Sequence, residues 1–324
     1  MMWMNRKAVG AVAVNLRPRR GSWGGANQWA AQVVRMFEYQ GWAVRFDLRE
    51  PVDAVVMTHT GMSADTTFGA NEVEALKARR PGVRCVHRIN DNDIRKETSG
   101  MDEWLARSNR VADHTVFVSG WLRDHHAAGW FDAGRAHSVI VPGADPRYFH
   151  AVGRSAWRPG MRMRLVTHHW SDNWRKGFDV YRDIDRLVAG SHGSGFELLV
   201  IGRWPRDLEW KAARTLPPAS GVDLADRLRE CHGYVSASRF EPGAMHVAEG
   251  LQCGLPLLYH RDSGGTVEQG RKYGMEIGDD LGATLDAFAA GYEEMRGKVL
   301  SDPPSGSKMA LGYVSLVEKL VADA

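Results

Sequence analysis

The chain has 324 residues, 44% of them hydrophobic and 25% charged, so it can bury more than one core and is neither low-complexity nor acidic-disordered. A formal net charge of +3 is too mild for a nucleic-acid footprint, and no run approaches the roughly 18 apolar residues of a membrane span. Met1 to Leu16 lacks a signal-peptide pattern, which makes cytoplasmic residence the expectation, and Cys85, Cys231 and Cys253, without CxxC spacing, read as buried thiols.

From the start, Lys7 to Asn15 (KAVGAVAVN) is a strand-like run that stops at a Pro/Arg/Gly-rich loop, and Asn27 to Gln40 carries helix-period apolar residues. The alternation continues through WAVRFDL, DAVVMTH, the helical NEVEALKARR, RCVHRIN, the helical MDEWLARSNRV, HTVFVSG and SVIVPGA. Strands that alternate with helices predict a parallel, doubly wound sheet. His150 to Met161 (HAVGRSAWRPGM) breaks the pattern, and a second series of the same kind begins at Met163: RLVTHHW, helical GFDVYRDIDRLV, FELLVIG, helical DLADRLREC, GYVSAS, helical AMHVAEGLQC, PLLYHR and helical VEQGRKYG. Two helical stretches after Leu281 close the chain. The expected domains are 1–155 and 156–324, with the last helix able to pack back on the first domain, and a ligand cleft between the carboxyl ends of their strands.

Three loops carry polar residues where such folds do chemistry. Gly21, Gly24 and Gly25 in RRGSWGGANQ lie between a strand and a helix, where backbone N–H groups can approach a phosphate. Their spacing is not the G-x-G-x-x-G fingerprint, which disfavours a dinucleotide-dependent oxidoreductase. In THHWSDNWRKGFD, Arg175, Lys176 and Gly177 precede a helix, and two cations there can neutralise a leaving diphosphate. In RFEPGAMHVAEGLQCGLP, Glu241 stands at a helix entrance and Glu249 two turns deeper. Each carboxylate can accept from paired hydroxyls, which suggests a ligand with two polyol ends.

The pair Glu241-(x)7-Glu249 followed by GLQCGLP resembles the motif of retaining nucleotide-sugar glycosyltransferases of family 4. Further matches follow in the same order as in that family: the Gly24-Gly25 turn, VFVS at Val116 to Ser119, VPGADPRYF at Val141 to Phe149, Lys176-Gly177-Phe178-Asp179, and VIG at Val200 to Gly202. The resemblance covers nearly the whole chain. It implies the GT-B architecture, two Rossmann-like α/β domains facing each other across a cleft, the first for the acceptor and the second for the nucleotide-sugar donor. It also implies transfer of a sugar, of hexosyl type, from a nucleoside diphosphate sugar to a hydroxyl of a glycan, lipid-linked saccharide, protein or small molecule, with no further cofactor.

By the same resemblance Glu249 holds ribose hydroxyls, Glu241 contacts the donor sugar, and N–H groups of Gly243, Ala244 and Met245 support sugar or phosphate. Lys176, helped by Arg175, balances the diphosphate, over which Gly24 and Gly25 close. Two departures stand out: HHWSDN at His168 to Asn173 where the family often has an arginine, and Pro242, which offers no N–H, after the first glutamate. VHRINDNDIRKE supplies the acceptor-side candidates at a strand end, with His87 for the donor sugar or reacting centre and Asn90 and Asp91 for acceptor or sugar hydroxyls. Asp91-Asn92-Asp93 spells D-x-D, but a metal site is not expected, because that reading leaves the glutamate pair unexplained; the pairs His125-His126 and His168-His169 are read as non-metal too. Trp23 and Trp174 are the tryptophans best placed for sugar stacking. Arg17, Arg19 and Arg20 form a basic cluster suited to an anionic ligand or to peripheral membrane contact. The rival readings are a nucleotide-sugar epimerase or phosphorylase of related architecture, and a non-catalytic nucleotide-sugar-binding module.

Overall fold

A computed structural model describes residues 9–19, 21, 24–58, 66–154 and 156–324. Among these the chain divides into two units, one of residues 9–19, 25–141 and 306–324, the other of residues 21, 24 and 142–305.

The first unit is built on strands β1 (Ala11–Val14), β2 (Ala43–Arg45), β3 (Ala54–Met57), β4 (Arg84–Ile89), β5 (His114–Phe117) and β6 (His137–Val139). All pair in parallel, in the order β2-β1-β3-β4-β5-β6, so the order reverses between β1 and β3. Helices α1 (Gly25–Tyr39), α2 (Ala70–Arg79), α3 (Asp93–Lys96) and α4 (Met101–Asn109) fill the connections. β3 is buried along its whole length, the signature of a strand covered on both faces by crossover helices.

The second unit repeats the plan with β7 (Met163–His169), β8 (Phe196–Gly202), β9 (Arg214–Leu216), β10 (Gly233–Ser236), β11 (Leu257–Tyr259) and β12 (Gly274–Glu276). These also pair in parallel, in the order β12-β11-β10-β7-β8-β9. The helices are α5 (Phe178–Ala189), α6 (Gly221–Arg229), α7 (Met245–Gln252), α8 (Thr266–Tyr273), α9 (Leu281–Ala290) and α10 (Tyr292–Ser301). Helix α5 buries Phe178, Tyr181, Ile184 and Val188 at helical spacing against the sheet. Its Asp185, fully buried, accepts from the amides of Lys211, Ala212 and Ala213 at 2.6–2.9 Å, fastening the approach to edge strand β9.

The closing segment differs from the sequence reading. Three helices, not two, follow Leu281, because Gly291 ends α9 and begins α10, and Pro303 and Pro304 separate α10 from α11 (Gly306–Ala322). Helix α11 packs in the core of the first unit, where the Tyr313 ring meets that of Trp29 from α1 edge-on at 5.3 Å. Strands β9 and β12, three residues each, were absent from the sequence reading; too short to show a period, both lie at the edges of their sheet. No helix of the described residues is long and apolar enough to cross a membrane.

Candidate functional site

In a doubly wound sheet the loops that follow two strands running off in opposite directions leave a crevice at the strand carboxyl ends. In the second unit that switch lies between β7 and β10, which are neighbours in the sheet although β7 next pairs with β8. The loop after β7 carries Arg175 and Lys176, and the loop after β10 carries Glu241.

Backbone contacts bring these loops together. Gly177 has φ +88°, and a Cβ there would lie 2.3 Å from the carbonyl oxygen of Ala237, so only glycine lets the Lys176 turn lie against the end of β10. The amide of Arg239 donates to the carbonyl of Arg175 at 2.9 Å, and that of Ala237 donates to the Tyr181 hydroxyl at 2.9 Å. On the other side of the loop, Phe240 donates to the carbonyl of Asp262, and Gly265 donates to the carbonyl of Glu241, each at 2.8 Å. Phe240 is held at φ +56°, a left-handed conformation costly for an aromatic residue and sustained by these bonds. Beneath it the Arg175 guanidinium lies 5.5 Å from the Phe240 ring centre.

The outcome is a buried ion pair: the Lys176 ammonium donates to the Glu241 carboxylate, with side chains 15% and 5% exposed. Pro242, Gly243 and Ala244 lead into α7, whose N-terminal residue Ala244 provides no side-chain cap. The first-turn amides of α7 thus receive no cap from the Ala244 side chain. One turn further, Glu249 is 4% exposed and its Oε2 accepts from His168 Nε2 at 2.8 Å.

The sequence marks His168 as a departure from the family pattern and as part of a non-metal histidine pair, but does not show its link to Glu249. His168 is the second member of a line of polar contacts, with Nδ1 3.0 Å from the Tyr234 hydroxyl, which lies 2.9 Å from His246 Nδ1. Burial pushes the Tyr234 hydroxyl well above its ordinary range, reinforced by Tyr181 and Glu249, so it keeps its proton at neutral pH. Next along β7, His169 is buried, with Nε2 2.8 Å from the Thr167 hydroxyl; burial, then His246 and Lys176, hold it well below the ordinary histidine range. The signal available in the sequence was the adjacency of His168-His169 to the end of a buried strand, with Tyr234 on the neighbouring strand.

Gly25 opens α1 in the first unit, and at Gly24, which falls in the second, a Cβ would meet nothing within 4 Å. His87 corrects the sequence reading: it lies inside β4 rather than at its end, is fully buried, and contacts Asn109 Nδ2 through Nδ1 at 3.2 Å. Burial, helped by Arg135, lowers its pKa to about 3, so it is a neutral core imidazole. Asn90 accepts from the Thr58 hydroxyl at 3.1 Å, and Asp91 pairs with Arg95 at 3.3 Å. Asp93 accepts from the amides of Gly100, Met101 and Asp102 at 2.9–3.1 Å, which occupies it as the cap of α4. Among the described residues no group of three or more histidine, cysteine or acidic side chains is arranged to hold a metal ion. Arg20 and Trp23 lie outside the described residues. Trp174 is 39% exposed, as is Trp170, over whose ring the Arg203 guanidinium sits at 4.5 Å. The three cysteines are free and buried.

No protein-family model and no curated protein sequence matches the chain. Solved structures do match its fold. A sucrose-phosphate synthase from Thermosynechococcus elongatus is 14% identical with a TM-score of 0.65, over 97% of this chain and 99% of that one. The catalytic domain of starch synthase IV from Arabidopsis thaliana, bound to ADP and acarbose, is 11% identical with a TM-score of 0.68, over 98% and 100%. HepE from Anabaena, in complex with UDP, is 11% identical with a TM-score of 0.66, over 95% and 99%. At these identities the likeness is one of fold: two α/β units with parallel six-stranded sheets, the architecture of GT-B glycosyltransferases.

Proposed function

We propose that the protein is a retaining glycosyltransferase that moves a hexosyl group from a nucleoside diphosphate sugar to a hydroxyl acceptor. The observation that carries this reading is the buried Lys176–Glu241 pair at the β7/β10 switch point, with Glu249 one turn into the helix that follows. Solved structures of the same fold that hold UDP or ADP support it.

In this reading Glu249 binds the ribose hydroxyls, and the α7 amides at Gly243 to Met245 meet sugar or phosphate. The arriving diphosphate takes over the Lys176 ammonium, with Arg175 beside it, and so releases the Glu241 carboxylate to accept from donor-sugar hydroxyls. Gly24 and Gly25 contact the diphosphate through their backbone, and Asn90 and Asp91 bind acceptor or sugar hydroxyls. This reading gives no role to His87, which is neutral and fully buried in β4. Catalysis then rests on holding the donor and on stabilising the departing diphosphate, whose own oxygen takes the acceptor proton on the face the sugar leaves. This reading assigns no metal to Asp91 and Asp93, and Asp93 accepts from the amides of Gly100, Met101 and Asp102.

The test is incubation with UDP-, GDP-, ADP- and dTDP-sugars, following nucleoside diphosphate release and the anomeric configuration of the product by NMR. The expected result is release from one donor with configuration kept, slowed by Glu241→Ala and shifted in donor affinity by Glu249→Ala. An inverted product overturns retention. A sugar 1-phosphate formed from added phosphate, or an epimerised nucleotide sugar, assigns the phosphorylase or epimerase reading instead.

A further inference from the structure

The switch-point site holds a feature that the Lys176–Glu241 pair does not explain. The contacts His246 Nδ1 to Tyr234 Oη, Tyr234 Oη to His168 Nδ1, and His168 Nε2 to Glu249 Oε2 form a continuous line at 2.9, 3.0 and 2.8 Å. A carboxylate can only accept, so His168 Nε2 must carry the proton it shares with Glu249. In neutral His168 this leaves Nδ1 as an acceptor, and the Tyr234 O–H donates to it. The Tyr234 oxygen then accepts from His246 Nδ1–H. The donors thus point one way along the line, and if His168 is instead protonated, the bond to Glu249 is still a donation from Nε2. One carboxylate oxygen is committed in either case.

Packing fixes the same line mechanically. A Cβ on Gly250 would lie 2.5 Å from Cδ2 of Tyr234, so the tyrosine ring packs directly on the helix turn that carries Glu249. The His168 and Tyr234 rings meet edge-on at 5.5 Å. With Oε2 taken up and the helix seated on Tyr234, the rotation of the Glu249 carboxyl is set, and Oε1 is presented in one orientation.

We propose that His168 is a positioning residue for nucleotide recognition: it holds Oε2 of Glu249 so that Oε1 is aimed at a vicinal diol, and Tyr234, donating to Nδ1, supports the tautomer in which it does so. This rests on the reading of Glu249 as the ribose-binding group. It makes the ribose 2′-hydroxyl a specificity determinant, because a carboxylate fixed in this way is left with a lost partner when the ligand lacks that hydroxyl. The arginine expected near this position for the diphosphate is replaced by a residue that serves the sugar end of the nucleotide.

The experiment is calorimetric titration of the full chain with UDP, GDP and ADP, and then of the best binder and its 2′-deoxy counterpart on His168→Phe, His168→Gln and Tyr234→Phe. His168→Phe is expected to weaken the ribonucleotide about tenfold and to bring the ribo-to-deoxy affinity ratio toward one, in line with the loss of a hydrogen bond to a charged group. His168→Gln, whose amide can stand where Nε2 stands, restores most of the ratio. Tyr234→Phe keeps the ring packing and lowers the ratio by a smaller factor, about threefold, and it carries the test if His168→Phe does not fold. A ratio unchanged in the folded variants, or equal losses for both nucleotides, overturns the assignment while leaving Glu249 as a nucleotide ligand. Absence of binding by the wild-type chain removes the nucleotide reading itself, and the assignment with it.

Discussion

Replacing Lys176 by methionine removes the ammonium while keeping most of the apolar volume of its stem. The Glu241 side chain, 5% exposed, then remains in the interior without its paired cation. Removing one member of a buried ion pair costs about 3–5 kcal/mol, because the survivor stays charged where water cannot reach it. The 15% exposure of the Lys176 side chain indicates some solvent access to the pair, which puts the expected cost at the lower end, about 3 kcal/mol. For a unit of this size that corresponds to roughly 6–12 °C in melting temperature. Glu241→Gln alone costs less, since a lysine can turn its ammonium toward water along a flexible stem. The double variant Lys176→Met/Glu241→Gln deletes both charges and recovers most of the lost stability, yet gains no nucleotide affinity. Urea unfolding followed by tryptophan fluorescence measures all three. A Lys176→Met chain as stable as wild type, or a double variant no more stable than the single, refutes the claim that the pair is buried and mutually dependent.

Three other outcomes are expected. His87 has a folded pKa of about 3, below its unfolded value, so below about pH 6.5 only the unfolded chain takes the proton and stability falls with pH down to about 3. This one group contributes a slope of about 1.4 kcal/mol per pH unit, and His87→Gln should make the fall between pH 6 and 4 shallower in urea titrations; equal slopes refute it. Asp93→Ala should destabilise the first unit by about 1–2 kcal/mol through loss of the α4 cap, with nucleotide binding in EDTA unchanged by calorimetry. Gly177→Ala, which sets a Cβ 2.3 Å from the Ala237 carbonyl oxygen at positive φ, should lower the urea midpoint and weaken nucleotide binding together.

The alternation of buried strands with amphipathic helices was legible because each long element carries its own pattern: β7 and β8 are buried at every position but the second, and α5 repeats its apolar residues every three to four positions. Three-residue edge strands such as β9 hold fewer than two repeats of the strand period, and α9 and α10 merge in sequence because only Gly291 divides them. At the site, the residue types of Lys176, Glu241 and Glu249 could be read from spacing, but their partners could not. Glu249 meets His168 across 81 positions of sequence, and Tyr234 joins them only because β10 lies beside β7. His87 shows the reverse error: a polar residue beside a loop-rich stretch looked accessible, whereas the strand continues to Ile89 and buries it. Asp91-Asn92-Asp93 spells D-x-D in sequence, but the three amides that Asp93 accepts from at the start of α4 cannot be read from spacing.

The most direct measurement of the proposed function is calorimetric titration of the folded chain with UDP, GDP, ADP, dTDP and CMP, with and without EDTA. Selective one-to-one binding of one nucleoside diphosphate that persists in EDTA, and that Glu249→Ala weakens at least about tenfold, is the predicted result. Folded protein that takes up none of the five contradicts it.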